Sequence, residues 1–201
     1  MTDPIVVPHT RDVRATLDTA SEAGAGDVDA CVVACPPHPE MGGSRSDARL
    51  RALGEALSPA VDCLRFDYGP WDEGDGERTD VHATLGWAAE RYDHVALFGF
   101  SFGGCLALVV ASEREDLVAV SVLAPAARIS PDLDAVAALD AIDAPLQVVY
   151  GERDTTAEWE PVVERAREVG VETVGFSGDH FFLGQESKVA GHCAEFLAGY
   201  C

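Results

Sequence analysis

Lysine is almost absent from this sequence of 201 residues. Arginine supplies 13 of the 14 basic side chains and Lys188 is the one lysine, whereas aspartate and glutamate together number 35. The formal net charge is therefore −21 at pH 7. Recognition of nucleic-acid phosphates and of anionic lipid headgroups depends on clustered lysine and arginine. The deficit of basic residues argues against nucleic acid and against membrane surfaces as partners.

The same deficit suggests where the protein works. Carboxylates hold water and cations close to a surface, lysine exposes an apolar stem, and salt screens the mutual repulsion of the carboxylates. We interpret the composition as that of a cytoplasmic protein from a halophile. An acidic protein from a low-salt organism is the alternative.

Metal sites and secretion signals are also missing. No two of the six cysteines form a CxxC pair, and no cluster of histidine and cysteine has the spacing of metal ligands. We expect buried, reduced thiols, no metal and no cofactor. The acidic loop 67–78 lacks the alternate-position spacing of a calcium loop and is expected to be solvated. The N-terminus lacks the basic and then apolar pattern of a signal peptide.

One long uncharged run is present, and it must be distinguished from a membrane helix. Val95–Ser112 contains no charged residue, and its length approaches that of a membrane span. The segment GFSFGG divides this run, so we expect a short strand followed by a helix and no membrane span.

The remaining composition is that of an ordinary globular protein, and it predicts one α/β domain over residues 1–201. Apolar strand-like runs alternate with helical patterns, which is typical of a mostly parallel sheet with helices on both faces. The predicted strands are Val28–Cys35, Val61–Phe66, Val95–Phe100, Leu117–Leu123, Leu146–Tyr150 and Val171–Phe176. The predicted helices are Ser46–Leu57, Thr79–Arg91, Phe102–Arg114, Pro131–Leu139, Glu158–Val169 and Glu186–Ala198.

The strongest chemical signal is the G-x-S-x-G pattern centred on Ser101. An apolar strand precedes the motif and an apolar helix follows it, which is the context in which a serine occupies a tight strand-to-helix turn. Gly99 and Gly103 are small enough to let such a turn close, and the helix N-terminus faces the hydroxyl. Ser101 is therefore the predicted nucleophile; a glycine-rich packing turn is the alternative.

A serine nucleophile needs a base and a carboxylate, and the chain order provides both. His180 and Asp154 each follow a predicted strand, which places them at the same sheet edge as Ser101. His180 is the predicted base, and the alternative is a loop histidine that packs on Phe181. Asp154 is the predicted acid, and the alternative is a helix-capping aspartate.

The loop after the first predicted strand is the expected source of a second oxyanion donor beside the N–H of Phe102. Its prolines have no N–H, which leaves Glu40 and Met41, and the main chain of Glu40 is the predicted donor; a rigid loop of no catalytic use is the alternative. His38 is expected to hold this loop by a hydrogen bond. Met41, Trp71 and Phe181 are the predicted pocket residues.

The order of serine, aspartate and histidine resembles the α/β-hydrolase superfamily. The segments PPHPEMGG, LRFDYGPWDEGDG and LFGFSFGG resemble small dienelactone hydrolase-like enzymes without a cap. This resemblance implies an α/β-hydrolase fold, a three-layer α-β-α architecture with a mostly parallel eight-stranded sheet, here shortened at its N-terminus, and no cap domain. Dienelactone hydrolases carry a cysteine nucleophile where this chain has Ser101, so their substrate is not carried over. Pro36 replaces the first histidine of the HPHP pattern, so any role of that histidine in the related enzymes is not carried over either.

The expected function is hydrolysis of a small carboxylic ester or thioester through an acyl-enzyme. Two alternatives stay open at this point: an acyltransferase or perhydrolase that uses the same triad, and a non-catalytic ligand-binding protein with this fold. The sequence does not indicate an oligomeric state.

Overall fold

The computed structural model describes residues 2–8, 11, 13–20 and 28–201. Its helices, numbered in chain order, are α1 Ala48–Leu57, α2 Asp75–Ala89, α3 Phe102–Ala111, α4 Ala135–Ala138, α5 Glu160–Glu168 and α6 Glu186–Ala198. Its strands are β1 Thr2–Val6, β2 Arg14–Asp18, β3 Ala30–Cys35, β4 Asp62–Asp67, β5 His94–Phe100, β6 Val120–Leu123, β7 Arg128–Ser130, β8 Leu133–Asp134, β9 Leu146–Gly151 and β10 Glu172–Phe176.

Eight strands form the main sheet in the order β1-β2-β4-β3-β5-β6-β9-β10. The six strands from β4 to β10 in this order pair in parallel, whereas β2 pairs antiparallel with both β4 and the edge strand β1. The sequence analysis predicted the six parallel strands but missed β1 and β2, so the expected shortening of the sheet is wrong. Both missed strands are five residues long and β1 is mostly exposed, so neither produces an apolar run.

Helices cover both faces of this sheet, as predicted. Side chains alternate along β5: Val95 and Leu97 pack in one hydrophobic core, whereas Phe98 and Phe100 pack in the other. Helices α2, α3 and α5 contribute to the first core, while α1 and α6 contact each other in the second. The predicted three-layer α-β-α architecture is therefore confirmed.

The segment between β6 and β9 is where a cap would be inserted, and it is short. The sequence predicted a helix over Pro131–Leu139, but the structure has a small hairpin of β7 and β8 followed by the single turn of α4. The helix begins late because the Asp134 carboxylate accepts hydrogen bonds from the N–H groups of Val136 and Ala137, at 3.0 and 3.1 Å. Within the described part of the chain, no cap domain covers the sheet edge.

The acidic loop 67–78 is not simply solvated, which corrects the expectation. Helix α2 begins inside it at Asp75, and the side chains of Glu77 and Asp80 are fully buried. The Arg11 guanidinium bonds Asp80 at 2.9 Å and lies 3.5 Å from Glu77. The Glu77 carboxylate also accepts from the N–H groups of Asp72 and Gly74. Burial is tolerated because a guanidinium and backbone donors satisfy these carboxylates.

Residues Val95–Ser112 divide at Ser101 into β5 and α3, as the glycine-rich segment predicts. Among the residues that the structure describes, no helix has both the length and the apolar character needed to cross a bilayer.

Candidate active site

Ser101 lies in a sharp turn between β5 and α3, and its backbone is strained. Its φ of 59° and ψ of −116° are unusual for a residue with a side chain. A Cβ atom at Gly99 would lie 2.2 Å from the Gly103 carbonyl oxygen, and one at Gly103 would lie 2.4 Å from the Pro36 carbonyl oxygen. The two glycines of the motif are therefore required for the turn to close against its neighbours.

A chain of hydrogen bonds joins Ser101, His180 and Asp154. The Ser101 hydroxyl oxygen is 2.9 Å from His180 Nε2, and His180 Nδ1 is 2.6 Å from Asp154 Oδ2. An ionised carboxylate only accepts, so Nδ1–H donates to Asp154 and the neutral ring keeps Nε2 free to accept the serine proton. The three residues come from the loops after β5, β9 and β10, at the carboxyl edge of the sheet.

Asp154 contacts His180 and also holds a turn of its own loop, but it does not cap a helix, because α5 begins only at Glu160. One carboxylate oxygen contacts His180, while the other accepts from the N–H groups of Thr156 and Ala157 at 2.8 and 3.1 Å. Burial by itself raises the pKa of Asp154, but the hydrogen bonds from His180 and the two backbone groups outweigh it and lower the pKa. The carboxylate is therefore ionised and fixed in direction.

The histidine loop is anchored by its neighbours. Asp179 is occupied locally because its carboxylate accepts from the Phe181 N–H at 3.0 Å. Phe182 is fully buried with a φ of 50°, and the His180 ring packs 5.2 Å from the Phe100 ring. His180 is itself only 4% exposed, so its imidazole has little freedom to leave Asp154.

The loop from Pro36 to Gly43 passes over the helix N-terminus that carries Phe102. The carbonyl of His38 accepts from the N–H groups of Met41 and Gly43, at 3.1 and 3.0 Å, and the Tyr68 hydroxyl donates to the Pro36 carbonyl. Met41 thus has no N–H to offer a substrate. The main chain of His38, rather than its ring, holds the loop.

Two N–H groups of this loop, those of His38 and Glu40, make no hydrogen bond among the described residues. Glu40 is exposed in the single turn Pro39–Met41 and lines neither cavity beside Ser101, whereas His38 lines both. The sequence analysis overlooked the N–H of His38 because it counted donors only after the last proline. His38 is thus a second candidate for the oxyanion donor.

The His38 imidazole lies in an aromatic cluster. Its centroid is 4.6 Å from the Trp71 ring and 4.9 Å from the Phe102 ring, and its buried Nδ1 has no hydrogen-bond partner. The ring therefore contributes a wall of the site rather than a tether.

Two cavities meet at Ser101. The larger, of about 560 Å³, is lined by Trp71 and Phe102, and the smaller, of about 330 Å³, is lined by His180 and Phe181. Met41 lines both cavities and is 81% exposed. Each predicted pocket residue thus lines at least one cavity.

Five of the six cysteines are too buried to act as nucleophiles. Cys31, Cys35, Cys63, Cys105 and Cys193 are buried, and burial raises the pKa of Cys105 and Cys193 to about 12 each. A protonated thiol is a weak nucleophile. Among the described residues, no three histidine, cysteine or acidic side chains come together as metal ligands would.

Solved structures show the class of protein to which this fold belongs. An α/β serine hydrolase homologue from Coxiella burnetii is 23% identical, with a TM-score of 0.81 over 98% of this chain and 97% of that one. A serine hydrolase without a lid from Xanthomonas campestris is 21% identical, with a TM-score of 0.78 over 99% and 94%. Est1E from Butyrivibrio proteoclasticus, with ferulic acid bound, is 15% identical, with a TM-score of 0.84 over 98% of both chains. The fold is that of the α/β hydrolases.

Within this class the family is also defined. Residues 72–186, more than half of the chain, match the dienelactone hydrolase family, and the chain belongs to it. A search of curated protein sequences finds no significant match.

Proposed function

We propose that this member of the dienelactone hydrolase family is a serine esterase or thioesterase that works through an acyl-enzyme. The observation that carries the proposal is the hydrogen-bonded chain from the Ser101 hydroxyl through His180 to Asp154, 2.9 and 2.6 Å long, on a strained turn. Triads are recognised by such geometry and by the role of each member.

In the first half of the reaction, the Ser101 oxygen attacks the carbonyl carbon while its proton moves to His180 Nε2. The carbonyl oxygen becomes an oxyanion that accepts from the Phe102 N–H and from a donor of the 36–43 loop, Glu40 or His38. The ionised Asp154 stabilises the imidazolium that forms. The bond to the leaving oxygen or sulfur then breaks, and His180 donates its proton to that atom.

The second half regenerates the enzyme. His180 takes a proton from water, the hydroxide attacks the acyl carbon, and the ester bond to Ser101 breaks as His180 returns the proton to the serine oxygen. No further reactant is needed, and the products are a carboxylic acid and an alcohol or thiol.

An uncovered site favours small, soluble substrates. The β7–β8 hairpin, α4 and a 3-10 turn at Leu139–Ala141 are the elements between β6 and β9, and no described residue closes over a long aliphatic chain. Among straight-chain p-nitrophenyl esters, we expect kcat/KM to rise from acetate to about hexanoate and then fall, because further methylenes gain no burial. A steady preference for long chains would contradict an open site.

The proposal is tested by covalent labelling. A serine-directed phosphonate should modify the wild-type protein at Ser101, and Ser101→Ala should abolish the label and lower kcat by roughly 10³-fold or more. An unchanged melting temperature is the control that the variant is folded. Labelling that persists in Ser101→Ala would disprove the role of this serine.

A further inference from the structure

The two cavities at Ser101 have different walls. His180, Phe181 and Arg49 line only the smaller cavity, whereas Trp71 and Phe102 line only the larger one. Ser101 itself borders both. A substrate bound for attack by Ser101 thus has a separate space on each side of its carbonyl carbon.

Proton transfer decides which part of the ester occupies which space. The attacked carbon carries the Ser101 oxygen, the oxyanion, the leaving atom and the acyl chain. The oxyanion points to the Phe102 N–H, and the leaving atom must lie within hydrogen-bond reach of His180 Nε2 to receive its proton. Because His180 lines only the smaller cavity, the leaving group belongs there, and the acyl chain takes the remaining direction.

We propose that the larger cavity is an acyl site for an aromatic acyl group and that the smaller cavity holds a compact, uncharged alcohol or thiol. This proposal rests on the proposed esterase function. This assignment makes the acyl part of the substrate the larger one, since the cavities measure about 560 and 330 Å³. Both volumes lie in the usual range for ligand pockets.

The walls of the larger cavity indicate the aromatic ring. Trp71 and Phe102 lie 5.8 Å apart between ring centroids, with the His38 ring against both, and Ala126 and Ile129 complete an apolar lining. Such faces favour stacked or edge-on contact with another ring over contact with a flexible chain. Polar side chains at the same cavity would suit a polar substituent on the ring; they are Glu73, Arg128 and Ser130.

The smaller cavity has no net charge to attract an ionised leaving group. Arg49 forms an ion pair with Asp47, its guanidinium lies 4.6 Å from the Phe100 ring centroid, and it donates to the Phe181 carbonyl at 3.3 Å. Asp47 balances the charge of Arg49. The pair therefore fixes the wall, and a neutral leaving group fits best.

Two ester series separate the two parts of the substrate. The first keeps methanol as the alcohol and varies the acid among acetate, hexanoate, 3-cyclohexylpropanoate and 3-phenylpropanoate. The second keeps acetate and varies the alcohol among methanol, hexanol and benzyl alcohol, with acid release followed by titration. In the first series, we expect kcat/KM for 3-phenylpropanoate to exceed that for acetate by roughly tenfold and also to exceed that for the cyclohexyl control. In the second series, we expect kcat/KM to fall as the alcohol becomes larger.

Two matched variants assign the cavities. Trp71→Ala should lower the ratio of phenylpropanoate to acetate by roughly tenfold and leave the ratio of benzyl to methyl acetate unchanged. Phe181→Ala should change the alcohol ratio and leave the acid ratio unchanged. Melting temperature and phosphonate labelling show that both variants are folded with Ser101 reactive.

The outcomes distinguish this inference from the function on which it rests. If the two variants exchange their effects, or the cyclohexyl and phenyl acids behave alike, the cavity assignment is wrong although the esterase activity stands. If the wild-type protein is not labelled and hydrolyses none of these esters, the proposed function fails, and the assignment fails with it.

Discussion

The carboxylate of Asp154 and those of Glu77 and Asp80 are similarly withdrawn from water but have different partners. Asp154 is bonded to His180, which gains a proton in the proposed reaction, and to two backbone N–H groups. Glu77 and Asp80 face Arg11, whose charge is permanent. The difference teaches that burial alone does not assign a role. A carboxylate beside a group that gains charge during a reaction can assist that reaction, whereas one beside a fixed cation fixes structure.

The strongest test of this comparison removes the charge of Asp154. Asp154→Asn should lower kcat by about 10⁴-fold, because the amide cannot stabilise the imidazolium and can favour the wrong tautomer of His180. Steady-state hydrolysis of p-nitrophenyl acetate measures the effect. A loss smaller than about tenfold would mean that this carboxylate has no part in catalysis.

Removal of the Arg11 charge should lower the stability of the fold, whereas removal of the Asp154 charge should lower the rate of hydrolysis. Arg11→Met removes the guanidinium from two buried carboxylates and should cost roughly 3 kcal/mol in the free energy of unfolding, since breaking a buried ion pair from one side is strongly destabilising. Urea titration gives the value. The kcat of folded Arg11→Met should fall far less than that of Asp154→Asn. An unchanged midpoint of urea unfolding would show that the ion pairs of Arg11 do not stabilise the fold.

The dependence of the melting temperature on salt measures the repulsion among surface carboxylates rather than the contribution of these buried groups. The Debye length falls from about 10 Å at 0.1 M salt to about 3 Å at 1 M, so repulsion within a net charge of −21 weakens. We expect the melting temperature to rise by several degrees from about 0.1 to about 3 M KCl, with the same slope in Arg11→Met. A flat or falling melting temperature would refute the halophile interpretation.

Acid titration should give the smallest difference. The folded pKa of Asp154 lies below its ordinary value, so its ionised form stabilises the folded protein at a pH above the unfolded pKa of about 3.9. That contribution is lost as the pH falls through the folded pKa. The free energy of unfolding of the wild type minus that of Asp154→Asn should therefore shrink as the pH falls below about 4. A difference in the free energy of unfolding that grows on acidification would contradict a lowered pKa of Asp154.

Sequence reasoning located the parallel strands and the serine turn because both depend on local patterns. An uncharged strand, GFSFG and an apolar helix follow one another within Val95–Ser112, so short-range sterics suffice to place Ser101. His180 and Asp154 could be chosen from chain order and strand ends. The structure brings all three within hydrogen-bond distance.

The features that were missed depend on contacts distant in sequence. Arg11 is 66 and 69 residues from Glu77 and Asp80, and nothing local indicates that the first turns of α2 will bury these two carboxylates against it. Strands β1 and β2 escaped because they are only partly buried and therefore contain no continuous apolar run. The N–H of His38 was missed by incomplete counting of donors, an error that the sequence alone could have prevented.

At the strained turn of Ser101, the position of the proposed nucleophile does not depend on its chemical identity. Gly99 and Gly103 hold the backbone at this position by steric closure with Pro36 and with each other, and no part of that closure uses the serine hydroxyl. A thiol at position 101 would occupy the same place beside His180. Exchange of oxygen for sulfur at this position would therefore change one atom and leave the backbone of the turn as it is.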